Sequence, residues 1–444
     1  MYLHGTSKIN EQGHLEIGGC DTVALKEQYG TPLYIMDEQL IRQRCREYMD
    51  AFRATGMQFQ VAYASKAFCT MAMCRLVEEE GLSLDVVSDG ELYTAMQAGF
   101  PVERIHFHGN NKTPEELELA LDAGIGCFVV DNLIELHLLN AIAAEKGLQP
   151  KILLRVTPGV EAHTHEFIST GQEDSKFGFD IGNGSAYEAV VQADQLSSVE
   201  LLGLHSHIGS QIFEVDGFEV AAQRVAEFAR QLQRDKGIYF SVINLGGGFG
   251  IRYTAEDSPL QVADYVQAIA NSIQKNFADS DGAVPQIWIE PGRSIVGDAG
   301  TTLYTVGTSK DIPGIRKYVS VDGGMSDNPR TALYDAKYEA VIANRAHDDS
   351  SELVSVAGKC CESGDMLIWD IELAHPVSGD LLAVACTGAY NYSMASNYNR
   401  LRRPAVVLVS EGNSDVIVSR ESYADLVGND LVPARLQASA ALRS

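Results

Sequence analysis

Between about residue 38 and residue 295 short apolar runs alternate with longer segments in which apolar residues recur every three or four positions. The runs are FQVAYA (59–64), LSLDVV (82–87), IHFH (105–108), CFVV (127–130), KILLRV (151–156), LLGLHSH (201–207), SVINL (241–245) and QIWIE (286–290), and each predicts a strand. TMAMCRLVEEE (70–80), GELYTAMQAG (90–99), TPEELELALDAG (113–124) and LIELHLLNAIAAEKG (133–147) predict helices between them. The third starts well: Thr113 can cap, Pro114 suits the first helical position, and Glu116 falls three residues after the cap. VAAQRVAEFARQLQR and VADYVQAIANSIQKNF keep the helical period in the later, longer connections. Eight strand–helix alternations predict a (β/α)8 barrel, with a doubly wound sheet as the alternative.

Beyond residue 300 the period changes. TTLYTVGTSKDI, RKYVSVDGG, YEAVIA, SELVSVAG, DLLAVACTG and PAVVLVS alternate with turns and contain little helix. They predict a second, mostly β domain. The opening GHLEIGG and PLYIMD are also β-like, so the N-terminal segment is expected to join it. The expected units are 1–37, 38–298 and 299–444, the first and last forming the β domain around an uninterrupted barrel.

A chain of 444 residues exceeds what one core usually organises, which fits two domains. Charge narrows the partners: 34 Lys plus Arg against 60 Asp plus Glu give −26, with no basic run suited to nucleic acid. Neither a long apolar stretch nor a basic-then-apolar leader is present, so a cytoplasmic protein without a membrane span is expected. The eight cysteines, at 20, 45, 69, 74, 127, 360, 361 and 386, suit reduced thiols better than a disulfide framework. Cys69 and Cys74 lack a second pair at zinc spacing, and no metal is expected.

In such a barrel the C-terminal ends of the strands face the active site. Lys66 follows the first predicted strand, His207 ends the sixth, Gly246, Gly247 and Gly248 follow the seventh, and Glu290 ends the eighth. The lysine is either solvated at a helix start or an amine that condenses with a carbonyl. The glycines form a plain tight turn or bring N–H groups to phosphate oxygens, but they match neither a P-loop nor a dinucleotide fingerprint. His205 and His207 share one strand face, as metal ligands or with an imidazole against a planar ring. Gly209 and Ser210 add a second donor-rich turn. Glu290 and Arg293 flank a Pro-Gly turn, as a surface ion pair or as a carboxylate for a heterocyclic nitrogen beside an arginine for an anion. Amine, phosphate nest, stacking imidazole and carboxylate together meet the needs of a pyridoxal phosphate site.

At these residues the chain resembles the fold-type III pyridoxal phosphate enzymes, the group of alanine racemase and eukaryotic-type ornithine decarboxylase. Within that group it is most similar to the diaminopimelate decarboxylases. The similarity spans residues 20 to 425 or so, through YASKAF, SDGEL, LRVTPG, SKFGFD, HSHIGSQ, NLGGGFG, EPGRSIVG, CCESGD and GAYNYSMASNYN.

The resemblance implies decarboxylation of meso-2,6-diaminopimelate to L-lysine and carbon dioxide, the last step of lysine biosynthesis by that route. Lys66 would carry the cofactor aldehyde, His207 would stack on its ring, and Glu290 would pair with its pyridine nitrogen. Ser210, Gly246, Gly247, Gly248, Gly292 and Tyr390 would hold the phosphate region, with Arg155 near the cofactor and Asp85 and His205 in support. Arg293, Arg330 and Tyr334 would contact the substrate carboxylate, Arg293 and Tyr390 touching cofactor and substrate alike. Cys361 as proton donor and Glu362 as reader of the distal amino group would come from a second copy, in a homodimer with shared sites. Two positions depart from the pattern: Phe68 stands where many relatives have Asn, and Cys360 adds a second thiol, although alignment to CESGD selects Cys361. The nearest alternative is a decarboxylase of the same fold acting on ornithine, arginine, lysine or carboxynorspermidine. Arg330 is the discriminating residue, because those substrates lack a distal carboxylate.

Overall fold

The computed structural model describes residues 1–160, 175–279 and 282–437; residues 438–444, counted above in the C-terminal unit, lie outside them. Its centre is a closed ring of parallel strands: Phe59–Ala64, Ser83–Val86, Ile105–Phe107, Cys127–Val130, Lys151–Thr157, Glu200–His205, Val242–Asn244 and Gln286–Ile289. Closure comes from the eighth strand pairing with the first, Ile287 opposite Phe59. The predicted barrel is therefore the observed one, and the doubly wound alternative is excluded. A further two-residue strand, Phe179–Asp180, pairs beside Val156 and Thr157 and was too short to be read from the sequence.

Alternation along each strand divides inside from outside. Cys127 and Val129 turn into the ring with Leu153, Val242 and Trp288, while Phe128 and Val130 pack outward against the helices. Helix Pro114–Ala123 starts with the reciprocal capping box of Thr113 and Glu116 and stops at the left-handed Gly124. Helix Glu38–Thr55 is capped by Asp37 and buries Leu40, Ile41, Cys45, Tyr48 and Phe52 on one stripe. No helix among the described residues is long and apolar enough to cross a membrane.

The second domain is built on the thirteen-residue strand Gly300–Ile312. It pairs antiparallel with Leu381–Ala385, with Arg316–Val321 and with the N-terminal strand Leu33–Asp37. Leu33–Asp37 in turn runs parallel to Ala405–Ser410. Both ends of the chain thus share one sheet, which places the barrel between them. Strands Met366–Leu373 and Asn413–Val418 complete the sheet. Helix Glu38–Thr55 leads from strand Leu33–Asp37 into the barrel and is tied to the segment after the eighth strand, with Arg44 on Asp298 at 2.6 Å and Tyr48 sharing a hydrogen bond with Ser294 at 2.7 Å.

Candidate active site

Inside the ring the apolar layer ends at Trp288, on which the His106 ring stacks with centroids 4.6 Å apart. Two residues further along the same strands stand His108 and Glu290, and from here the interior is polar. Glu290 is 7% exposed, and its carboxylate is held from three sides. Asn244 Nδ2 donates at 2.6 Å, His205 Nε2 lies at 2.9 Å and His108 Nε2 at 3.0 Å. Burial alone would raise the Glu290 pKa, but His108 and His205 hold it well below the usual carboxylate range. Burial pushes the nearby Asp85 carboxyl up to about 7, against the pull of His108 at 3.7 Å. A surface ion pair of Glu290 with Arg293 is not what forms: both are buried and each has other partners.

The sixth strand stops at His205, so His207 lies in the following loop rather than on the strand face. The last ladder bond runs from Ser206 N to Asn244 O, after which the chain turns at Gly209. His205 reaches Glu290 from the end of the strand, and His207 lines the same cavity from the loop beyond it. Gly247 N donates to His207 Nδ1 at 3.2 Å, which assigns the ring proton to Nε2. Burial, then Lys66 and Arg155, keeps the His207 imidazole well below its ordinary pKa and therefore neutral.

Lys66 sits on a single 3-10 turn, Ser65–Ala67, just past the first strand, with the helix starting only at Met71. The chain around Tyr390 closes over this turn, with Tyr390 N on Ala67 O at 2.8 Å and Ser393 Oγ on the same oxygen at 3.1 Å. Lys66 opens into two cavities that share His207, Ser210, Arg293 and Tyr390 as walls. The first, about 380 Å³, adds Asp85, His108, Arg155, Gly247, Gly248, Glu290 and Gly292. The second, about 540 Å³, adds Tyr253, Arg330 and Tyr334. Arg155 is held beside Asp131 at 4.0 Å with its guanidinium 4.2 Å from the Phe177 ring centre.

The glycine run leaves room rather than a set of spare donors. A Cβ at Gly246 would fall 2.6 Å from Ser206 O, one at Gly247 2.2 Å from Glu290 O, and one at Gly248 2.5 Å from Gly209 O. The N–H groups of Gly246 and Gly247 are directed to Asn244 Oδ1 and His207 Nδ1. What remains is a glycine-floored pocket with a lysine at one end, an imidazole on one wall and an ionised carboxylate below. That set fits pyridoxal phosphate: an amine for its aldehyde, a flat partner for its ring, an anion for its pyridinium and an arginine-bearing mouth.

Cys361 and Glu362 are not drawn into either cavity. The loop 358–365 folds around Asp365, whose carboxylate accepts from Met325 N and Cys360 N, both at 2.6 Å. Cys360 is buried there, its thiol pushed up to about 11 by burial and by Asp365, whereas Cys361 and Glu362 are exposed. Sequence reasoning missed four side chains: His108, Asn244, Tyr253 and Tyr338. His108 ends a predicted strand and Asn244 lies inside NLGGGFG, so both carried a usable signal. Tyr253 and Tyr338 reach the site from loops and carried none.

The family described as pyridoxal-dependent decarboxylase, pyridoxal binding domain, matches residues 38–297. The diaminopimelate decarboxylase of Bacillus subtilis is 58% identical over 431 residues, 97% of this chain and 98% of that one. That of Bacillus methanolicus is 60% identical over 421 residues, covering 95% and 98%. The crystal structure of diaminopimelate decarboxylase from M. jannaschii in co-complex with L-lysine superposes with a TM-score of 0.92 at 39% identity, covering 98% of this chain and 100% of that one. On this likeness, which runs through both domains, the chain belongs to the pyridoxal-dependent decarboxylases and, among them, to the diaminopimelate decarboxylase family.

Proposed function

We propose that this protein decarboxylates meso-2,6-diaminopimelate to L-lysine and carbon dioxide with pyridoxal phosphate. The observation that carries the reading is the pair Arg293 and Arg330 in the wall of the cavity that Lys66 enters. A substrate whose second end keeps a carboxylate is matched by such cations, and one that ends in an amine alone is not. When bound, pyridoxal phosphate supplies an aldehyde for the substrate amine and a ring that takes up the electron pair left by carbon dioxide.

In this reading Lys66 Nζ would hold the aldehyde and the neutral His207 ring would pack against the heterocycle. Glu290, kept ionised by its imidazole neighbours, would pair with the pyridine nitrogen and keep it protonated. Gly247, Gly248 and Gly292, with Gly246 in the same turn, would give the phosphate end its space, Ser210 and Tyr390 would line it, and Arg155 with Asp85 and His205 would steady the far wall. Arg293, Arg330 and Tyr334 receive the distal carboxylate. Cys361 of a second copy protonates the substrate Cα, and Glu362 beside it reads the distal ammonium. Exposure of both residues, away from their own chain's cavities, supports a homodimer with shared sites. The acidic composition supports a cytoplasmic enzyme. The same proposal takes 1–37 and 299–444 as the β domain and 38–298 as the barrel.

The test is lysine formation and carbon dioxide release from meso-diaminopimelate, compared with ornithine, arginine, lysine and carboxynorspermidine. Holoenzyme absorbance at about 420 nm should vanish, with activity, in Lys66→Ala. Chromophore without lysine formation would retain the cofactor and sink the substrate.

A further inference from the structure

Tyr253 belongs to none of the motifs above, yet both arginines converge on it. Its phenol oxygen accepts from Arg293 Nη1 at 2.6 Å and from Arg330 Nη1 at 3.0 Å. The ring is 8% exposed, and the two guanidinium carbons lie 5.7 Å and 5.1 Å from its centre. Each arginine has a second hydroxyl partner, Arg293 through its other terminal nitrogen and Arg330 through the same one. Ser210 Oγ accepts from Arg293 Nη2 at 2.8 Å, and Tyr338 Oη accepts from Arg330 at 2.9 Å.

A phenol oxygen has two accepting lone pairs and one proton to give. Here the arginines occupy both accepting positions, so the O–H is left to donate. Tyr253 lines the cavity of about 540 Å³ alongside Arg293, Arg330 and Tyr334. Two guanidiniums would otherwise repel each other, and a shared neutral acceptor draws them to one point while leaving each further N–H groups for an anion. We propose that Tyr253 is a specificity-determining residue: it gathers Arg293 and Arg330 around one oxygen and donates its own hydroxyl proton to the distal carboxylate those arginines receive. This rests on the reading of the arginine pair as a carboxylate site.

Equilibrium binding of L-lysine and of cadaverine to the holoenzyme tests it. The two ligands share a diamine chain, and only lysine carries the carboxylate. In Tyr253→Phe, which keeps the ring, lysine binding should weaken about tenfold or more, as for one lost hydrogen bond to a charged group, with cadaverine within about twofold. KM for diaminopimelate should rise more than kcat falls. Tyr253→Met serves the same reading if the Phe variant does not accumulate as folded holoenzyme. An unchanged lysine-to-cadaverine ratio overturns the proposal, and so does equal weakening of both ligands, the mark of a merely structural role. Arg330→Gln, measured in parallel, separates the two levels. A ratio that collapses there but not in Tyr253→Phe removes Tyr253 alone; a ratio unmoved in either removes the carboxylate site as well.

Discussion

The floor of the active-site pocket and the loop 358–365 use the same chemical groups, carboxylates beside proton donors, under opposite conditions. Glu290 at the floor is buried and bound by Asn244, His205 and His108 within one chain. In the loop only Asp365 is treated that way, accepting from two backbone N–H groups, while Cys361 and Glu362 stand outward on the surface. A charge can be held ionised in a buried place only if fixed donors replace the water it loses. The floor meets that condition alone. The loop gives fixed donors to Asp365, the residue that shapes it, and leaves Cys361 and Glu362 to the surface.

Removing the outward thiol should have the largest effect. Cys361→Ala is expected to lower kcat by about 10²- to 10⁴-fold, as for loss of a positioned general acid, with the holoenzyme absorbance unchanged. Cys360→Ala should stay within about threefold, since that side chain packs around Asp365 rather than facing outward. Reversal of the two results would exchange their roles. Mixing inactive Lys66→Ala with Cys361→Ala, followed by subunit exchange, should restore about a quarter of wild-type activity if a symmetric dimer shares its sites. No recovery in heterodimers shown to have formed would make the loop serve its own chain.

The floor can be tested through protons. His106 is buried against Trp288 and its Nδ1 pairs with no described group. Burial lowers its pKa to about 3, against a partial pull from Glu290. The folded chain therefore keeps it neutral while the unfolded chain protonates it below about 6.5, so stability is lost as pH falls from 6.5 toward 3. His106→Phe keeps the stack on Trp288 and removes that proton. Relative to the wild type, the variant should gain about 2 kcal/mol between pH 7.5 and pH 5 in urea unfolding. A difference that does not change with pH would mean that the imidazole is solvated or charged in the fold.

A change far from both regions should do least. Thr113→Ala removes the cap of helix Pro114–Ala123 and should cost about 1 kcal/mol in unfolding, with kinetic constants unchanged. A kinetic effect there would show that the outer helices tune the floor.

Much of this was legible in advance. The eight strands fall within about two residues of their predicted runs, since each is a short apolar block bounded by helical periods. The capping box at Thr113 was readable because its parts are local. The extra strand Phe179–Asp180 was not, because two residues carry no period. Lys66, His207 and Glu290 could be named because barrel geometry turns a position in sequence, the end of a strand, into a position in space. His108 satisfied the same rule and was passed over.

From the sequence alone come the order of elements, the barrel, the two-part β domain and the residues at the barrel mouth, all consequences of periodicity and short motifs acting along neighbouring positions. Only the tertiary structure decided how those residues divide their work. It set His205 on Glu290 and Gly247 N on His207, joined Arg293 to Arg330 through Tyr253, and buried Cys360 while exposing Cys361. These are contacts between residues far apart in the chain, and no local pattern encodes which lone pair meets which proton once the loops have closed.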